Sequence, residues 1–126
     1  MEPNIARDWG LVLVVDDDST TRETLSDILK GEGLRVAVAT DGLDALKHLG
    51  LLPHPAVILC DLQMPLMDGR EFCRRKNASR ALRHIPLIIV SGVADQEKDN
   101  RSLEAAGFFT KPVDVPRLLA AIHRYC

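Results

Sequence analysis

Four short apolar runs, at residues 11–15, 36–39, 56–60 and 87–90, constrain the fold of this chain more than any other feature. None of them alternates with polar residues, as a strand with one solvent-exposed face would. Strands that are buried on both faces occur mainly in parallel sheets, which helices cover on each side. The runs therefore predict parallel strands, and a weaker run at residues 108–110 predicts a fifth.

Segments with helical periodicity lie between these runs. Thr20 and Glu23 have the spacing of a capping box, and the helix that they begin should end near Gly31. The fourth helical segment is mostly polar, with Leu103 as its only large apolar residue, so it should be the least securely anchored. Five cycles of strand and helix predict a doubly wound α/β sheet with right-handed crossovers. The other helices are expected at residues 41–49, 68–76 and 95–106 and from Asp114 onward.

Length and composition limit the domain organisation and the partners. The 126 residues fit one domain, with a flexible segment expected over residues 1–10 and the folded module over residues 11–126. A net charge of −2 gives no bulk electrostatic reason for direct binding to nucleic acid or to an anionic membrane. The apolar runs are far shorter than the roughly 20 residues of a spanning helix, so no membrane insertion is expected. Three cysteines without metal-ligand spacing favour free thiols and a cytoplasmic location.

Polar residues follow four of the predicted strands. Residues 16–18 are all Asp and follow the first strand, whereas Asp61, Ser91 and Lys111 follow the third, fourth and fifth. Because ligands gather beyond the carboxyl ends of parallel strands, these side chains should converge. Carboxylates a few ångströms apart repel by roughly 4 kcal/mol per pair at an effective dielectric constant of about 20. The cluster therefore needs a compensating cation.

The residue types suit phosphoryl transfer. A carboxylate can attack phosphorus and form an aspartyl phosphate, and the reaction then requires neutralisation of the phosphoryl charge. Mg²⁺, or Mn²⁺ in its place, is the expected cation, because one or two carboxylates together with phosphate oxygens hold it. No His or Cys ligands for zinc accompany the acidic cluster. A lysine ammonium and a serine hydroxyl would contact the phosphoryl oxygens, and Asp61, Lys111 and Ser91 match these needs.

In combination, the segments VVDDDST, CDLQMPLMDG, IIVSG and FFTKP resemble the receiver domains of two-component response regulators, over residues 11–125. The resemblance implies a flavodoxin-like (CheY-like), three-layer α/β/α fold whose five parallel strands are ordered 2-1-3-4-5. It also implies a signalling phosphoacceptor in a phosphorelay, which assists its own phosphorylation and dephosphorylation, and not an enzyme acting on a separate substrate.

The same resemblance assigns the metal ligands. Asp61 would be the phosphoacceptor, and Asp17 and Asp61 would coordinate the metal directly. Asp16 would act mainly through a metal-bound water, and the backbone carbonyl of Gln63 would complete the protein ligands.

Further roles follow for the residues beyond the acids. Lys111 would pair with the phosphoryl group, Ser91 would be the switch hydroxyl, and Phe108 would be the switch aromatic residue. The Lys111–Pro112 peptide bond is often cis in this family. A phosphoryl group on Asp61 would draw in Ser91 and Lys111 and alter the neighbouring surface.

The resemblance also implies partners. The phosphoryl donor would be a histidine kinase or a histidine phosphotransfer protein, and a downstream target would bind the face of the fourth helix, fifth strand and fifth helix. Three questions stay open: whether the chain forms a homodimer, whether it is a stand-alone regulator, and whether it was cut from a larger protein such as a hybrid histidine kinase.

Some residues depart from the family pattern. Only Gly107 separates the fourth helix from Phe108, where two or three more residues are usual. Arg75 and Lys76 occupy the third helix where an apolar residue is common, so its packing should be unusual. Gly92 is small, and we expect such a residue after the switch serine to leave the phosphoryl group open to partners and water.

Other interpretations compete with this one. Asp16, Asp18 and Thr20 satisfy the D-x-D-x-T signature of haloacid-dehalogenase-type phosphatases, in which Asp16 would be the nucleophile; the acidic pair expected after the lysine is reduced to Asp114. A receiver-like module that is never phosphorylated is another alternative, although such modules usually lack one of the acid, lysine or hydroxyl positions.

Simpler structural roles also apply to several polar residues. Asp18 alone is more simply a helix cap. The four histidines share no ligand spacing and should be solvated, and the basic residues within 70–83 should form an exposed face.

Overall fold

The computed structural model describes residues 6–92 and 102–126, and these residues form a five-stranded parallel sheet with helices on both faces. The strand order β2-β1-β3-β4-β5 is the predicted one, and the doubly wound architecture is confirmed. Residues 95–101 of the fourth predicted helix lie outside the described residues, so α4 here denotes the helix expected from Asp114 onward. The elements are β1 (Arg7–Val15), α1 (Ser19–Gly31), β2 (Arg35–Ala39), α2 (Gly42–Leu49), β3 (His54–Cys60), α3 (Gly69–Ala78), β4 (Leu87–Ser91), β5 (Gly107–Thr110) and α4 (Val115–His123).

The core is split into two apolar clusters by the sheet. Every residue of β3 and β4 is buried, as the uninterrupted apolar runs predict. Alternate side chains of a strand point to opposite faces, so Leu13 and Ile58 pack on one cluster and Val12 and Val57 on the other. Helices α2 and α3 cover the first cluster, and α1 and α4 cover the second. None of the four helices in the described ranges has the length and apolar character that membrane crossing requires.

The first strand begins earlier than the apolar run. Arg7 and Asp8 pair with His54 and Pro55 of β3, ahead of a register shift that separates them from the apolar part of β1. Residues 7–10 thus belong to the sheet and not to the flexible segment predicted over residues 1–10. Their pairing depends on backbone groups of β3, so the polar side chains conceal it in the sequence.

An aspartate caps each of the four helices in the described residues. The Asp18 carboxylate accepts hydrogen bonds from the backbone N of Thr20 at 3.2 Å and from the Thr21 hydroxyl at 2.8 Å. The capping box predicted from Thr20 and Glu23 is therefore wrong, because Asp18 stands at the cap and Thr20 lies inside α1. The simpler interpretation of Asp18 as a cap is confirmed. The other caps are Asp41, Asp68 and Asp114.

Lys76 on α3 is buried and not part of an exposed basic face, with 3% of its surface accessible. Its ammonium donates to the Asn77 Oδ1 at 2.9 Å and to the Arg83 carbonyl at 3.3 Å. The Asn77 Nδ2 in turn donates to the Leu103 carbonyl at 2.8 Å, and the Cys73 thiol donates to the same carbonyl at 3.3 Å. The unusual packing expected for α3 is thus a polar network, which ties α3 to residue 103.

His54 is also buried, contrary to the expectation that all four histidines are solvated. Its Nε2 lies 3.0 Å from the Leu49 carbonyl at the end of α2. That hydrogen bond compensates the imidazole for the water that it loses. The remaining three, His48, His84 and His123, are half-buried or exposed.

Candidate functional site

The polar residues that follow β1, β3 and β5 meet at one edge of the sheet. The Asp16 N donates to the Ala39 carbonyl of β2 at 3.1 Å, and the Asp61 N donates to the Val15 carbonyl of β1 at 3.0 Å. Each acid therefore continues the hydrogen-bonding ladder for one residue beyond its strand. Strand order reverses around β1, which makes this edge the place where doubly wound sheets bind ligands.

Three carboxylates converge there. One oxygen each of Asp16, Asp17 and Asp61 lies within 4.8 Å of the others. Asp16 and Asp61 are buried, with 3% and 8% exposed, whereas Asp17 is open to solvent. An all-oxygen donor set that is accessible from one side is suited to a hard divalent cation such as Mg²⁺. The set therefore fits the cation that the sequence predicts.

Lys111 bridges the two buried acids. Its Nζ lies 2.8 Å from the Asp16 Oδ2 and 3.0 Å from the Asp61 Oδ2. Burial lowers the pKa of this ammonium, but the hydrogen bonds to the two carboxylates outweigh that effect and raise the pKa above its ordinary value. Burial raises the pKa of Asp16, although the hydrogen bonds from Lys111 and from the Asp18 N act in the opposite direction. One ammonium thus faces three carboxylates, which leaves the pocket electrostatically suited to a further cation.

Two glycines that carry no role in the sequence interpretation shape the loop after Asp61. A Cβ at Gly69 would lie 2.0 Å from the Asp61 carbonyl oxygen, so only glycine lets the start of α3 approach the phosphoacceptor backbone. A Cβ at Gly42 would lie 2.8 Å from the Met67 carbonyl oxygen, which accepts a hydrogen bond from the Gly42 N at 2.9 Å. Each glycine directly follows a capping aspartate, and this repeated Asp-Gly pair is the sequence feature that could have identified them.

The remaining predicted site residues surround the acids. Ser91 is buried at the end of β4, and its carbonyl accepts a hydrogen bond from the Lys111 N at 3.1 Å. Gln63 is exposed, and its backbone N lies 3.3 Å from the Asp61 Oδ1 as a donor. Phe108 is half-buried and packs against the cluster under α2 and α3. Its strand begins directly at Gly107, which pairs with Ile88.

The geometry argues against the phosphatase alternative. The Asp16 Oδ1 accepts from the Asp18 N at 2.9 Å, and its Oδ2 accepts from Lys111. The second acid of that signature, Asp18, has both oxygens on the start of α1, and Thr20 contributes only its backbone N to the cap. The D-x-D-x-T pattern is thus accounted for by helix capping.

A match to a known family decides between these alternatives. Residues 12–123 match the family model described as the response regulator receiver domain. This chain belongs to that family. It is a receiver domain of two-component signalling, and the match spans every strand end that contributes to the acidic pocket.

Relatives and solved structures agree with the receiver assignment. The two-component response regulator ORR5 of Oryza sativa subsp. japonica is 38% identical over 118 residues, which cover 90% of this chain and 88% of ORR5. The chemotaxis response regulator CheY4 of Vibrio cholerae aligns with a TM-score of 0.81 at 28% identity, covering 98% of this chain and all of that one. The CheY-like fold is therefore confirmed.

The receiver domain also resembles part of a histidine kinase. The signal receiver domain of a signal transduction histidine kinase from Syntrophus aciditrophicus aligns with a TM-score of 0.82 at 35% identity, over 92% of this chain and 89% of that one. Receiver domains of response regulators and of kinases thus share this fold at similar identity, so the choice between a separate regulator and a kinase segment stays open.

Proposed function

We propose that this receiver domain accepts a phosphoryl group on Asp61 from a phosphohistidine donor in a Mg²⁺-dependent reaction. The observation that carries the proposal is the position of the Lys111 ammonium, which contacts both Asp16 and Asp61 at the edge of the sheet. A cation held against a buried carboxylate can neutralise the charge that this carboxylate gains on phosphorylation.

The proposed step is a displacement at phosphorus. A carboxylate oxygen of Asp61 attacks, the P–O bond forms, and the P–N bond to the donor imidazole breaks with its electron pair returning to the ring nitrogen. Lys111 stays beside the new phosphoryl oxygens, and the Ser91 hydroxyl donates a hydrogen bond to one of them. Asp16, Asp17, Asp61 and the Gln63 carbonyl would hold Mg²⁺, which supplies charge neutralisation when bound.

A groove beside the acidic pocket offers room for the donor. It has a volume of about 290 Å³ and lies between α1 and the segment that joins β5 to α4. Leu25 and Ile28 of α1 and Val113 line it, and Lys111 forms part of its wall. Because Lys111 also contacts Asp61, a histidine kinase or histidine phosphotransfer protein seated in this groove would present its imidazole next to the acceptor.

Phosphorylation would also change the neighbouring surface. The proposal includes a movement of Ser91 toward the phosphoryl group and an inward turn of Phe108, which would alter what β5 and α4 present to a target protein. Comparing amide exchange over residues 91–110 with and without a phosphoryl mimic would test this switch. Unchanged exchange would contradict it. The three cysteines form no disulfides, as expected for thiols in the cytoplasm, where we place the reaction.

Gly92 supports ready access to the proposed phosphoryl group. A Cβ at this position would meet no heavy atom within 4 Å, so the residue after Ser91 borders open space. We expect Gly92→Leu to lengthen the lifetime of the phosphorylated protein, because the larger side chain would shield the group from water and phosphatases. An unchanged rate of phosphate loss would contradict this expectation.

The experiment that tests the proposal measures phosphoryl incorporation. The full chain is incubated with a small acyl phosphate and Mg²⁺, and its intact mass is followed. We expect one phosphoryl group per chain, lost when a chelator replaces Mg²⁺ and absent in Asp61→Asn. Asp114→Asn, which alters an exposed capping acid at the start of α4, serves as the control that should still incorporate phosphate. Incorporation by Asp61→Asn equal to that of the wild type would overturn the proposal.

A further inference from the structure

Arg22 reaches from α1 back to the loop that carries the acids. Its guanidinium Nη1 donates a hydrogen bond to the Asp16 carbonyl oxygen at 2.8 Å. The residue is half-buried and lies four positions after the cap of α1. The phosphoryl-transfer step proposed above gives it no role.

The contact fixes a peptide plane that matters for the metal site. The carbonyl of Asp16 belongs to the peptide unit that joins Asp16 to Asp17, and a peptide unit is planar. The Asp16 N, Oδ1 and Oδ2 are held by other partners, so the bond from Arg22 secures the one remaining polar atom of this residue. Holding that plane sets the direction in which the Asp17 side chain leaves the backbone.

Asp17 depends on this backbone restraint more than Asp16 does. Among residues 6–92 and 102–126, no hydrogen bond reaches the Asp17 carboxylate, which is exposed. Asp16, in contrast, is buried and paired with Lys111. The aim of Asp17 toward the other two acids is therefore set by its main chain, which Arg22 restrains.

We propose that Arg22 is a positioning residue for the divalent cation: through the Asp16 carbonyl it orients Asp17 toward the acidic pocket. The inference rests on the proposed Mg²⁺ site. Groups that orient a metal ligand typically change metal affinity by about 10- to 100-fold when they are removed. The guanidinium also places a positive charge next to the acids without occupying a ligand position.

Calorimetric titration of the full chain with Mg²⁺ tests the inference. We expect Arg22→Ala to weaken Mg²⁺ binding by about tenfold. Arg22→Lys should recover part of the affinity, because an ammonium can still donate to the carbonyl. Lys30→Ala on the same helix is the matched control: it removes the same charge from an exposed position in the last turn and should bind Mg²⁺ as the wild type does.

Phosphoryl incorporation gives a second readout. In Arg22→Ala, the Mg²⁺ concentration for half-maximal incorporation should rise by the same factor, while incorporation at saturating Mg²⁺ should approach that of the wild type. A loss of folding would instead lower incorporation at every Mg²⁺ concentration. If Arg22→Ala proves unfolded by circular dichroism, Arg22→Gln takes its place, because the amide keeps an N–H donor and removes only the charge and reach.

The outcomes separate this inference from the proposed function. If the wild type and Asp17→Asn both fail to bind Mg²⁺, the proposed metal site itself is wrong. If the wild type binds Mg²⁺ and Arg22→Ala matches Lys30→Ala, the metal site stands and the role of Arg22 is overturned. A selective tenfold loss in Arg22→Ala with partial recovery in Arg22→Lys supports the inference.

Discussion

Lys111 and Lys76 are both withdrawn from solvent, yet their surroundings shift the two ammonium pKa values in opposite directions. Lys111 contacts the carboxylates of Asp16 and Asp61, and its pKa is raised. Lys76 is buried on α3, donates only to the neutral oxygens of Asn77 and Arg83, and has its pKa lowered by burial. Burial disfavours both charges, so it is the carboxylate partners that reverse the sign at Lys111.

The comparison separates a site lysine from a structural one. Lys111 belongs to a cluster in which acids outnumber cations, and it can exchange one anionic partner for another when the site gains a phosphoryl group. Lys76 has no anionic hydrogen-bond partner among the described residues, and its contacts satisfy main-chain and amide oxygens. Burial and hydrogen bonding alone would have drawn attention to both residues, but only the neighbouring charges distinguish them.

Removing Lys111 should have the largest effect. Lys111→Met leaves two buried carboxylates without their cation, and breaking a buried pair in this way costs about 3 kcal/mol of unfolding free energy. The folded-state pKa values of Asp16 and Asp61 would then rise above their unfolded values. Stability in the variant would be greatest at low pH and lost as the pH rises. Urea unfolding in a chelator should therefore show a larger deficit at pH 7 than at pH 5, and a deficit that is equal at both would contradict the pairing.

Giving Lys76 a carboxylate should make it resemble Lys111. Asn77→Asp places an acid beside the Lys76 ammonium, so the pKa of Lys76 should rise, which NMR titration of the lysine side chains would detect. The Leu103 carbonyl loses the Asn77 donor in exchange, and an unsatisfied buried acceptor costs about 2 kcal/mol. Asn77→Ala is the control, since it removes that donor without adding a charge. An unchanged Lys76 pKa in Asn77→Asp would break the comparison.

The smallest effect concerns the pH dependence that Lys76 confers. Its pKa in the folded protein lies below the ordinary value of 10.5, so the unfolded chain binds more protons in the interval between the two values. The wild type should therefore gain unfolding free energy relative to Lys76→Met as the pH rises through that interval. Thermal unfolding from pH 7 to pH 10 would measure the trend. A difference that is constant, or that moves against the wild type, would refute the lowered pKa.

The sheet and most of the acidic pocket could be predicted from the sequence, because both depend on features that are local along the chain. Uninterrupted apolar runs identify strands buried on two faces, and the residue after each run lies at the carboxyl edge. The convergence of Asp16, Asp61 and Lys111 follows from strand order alone. That order came from the family resemblance, whereas the alternation of strands and helices required only the hydrophobic pattern.

The features that escaped prediction depend on contacts between distant segments. The pairing of Arg7 and Asp8 with β3 uses backbone groups, which leave no side-chain pattern. Burial of Lys76 depends on a carbonyl at Arg83 and on the amide of Asn77, and no periodicity indicates such acceptors. Arg22 folds back onto a carbonyl six residues earlier, and a helical arginine usually extends into solvent.

Mapping the modified residue tests the central claim most directly. The wild-type chain is phosphorylated with a small acyl phosphate and Mg²⁺, the acyl phosphate is trapped by borohydride reduction, and the digested peptides are sequenced by mass spectrometry. We predict a single modified position at Asp61. Modification at Asp16 with Asp61 intact would contradict the account, because the carboxylate beside Lys111 at the end of β3 would then not be the phosphoryl acceptor.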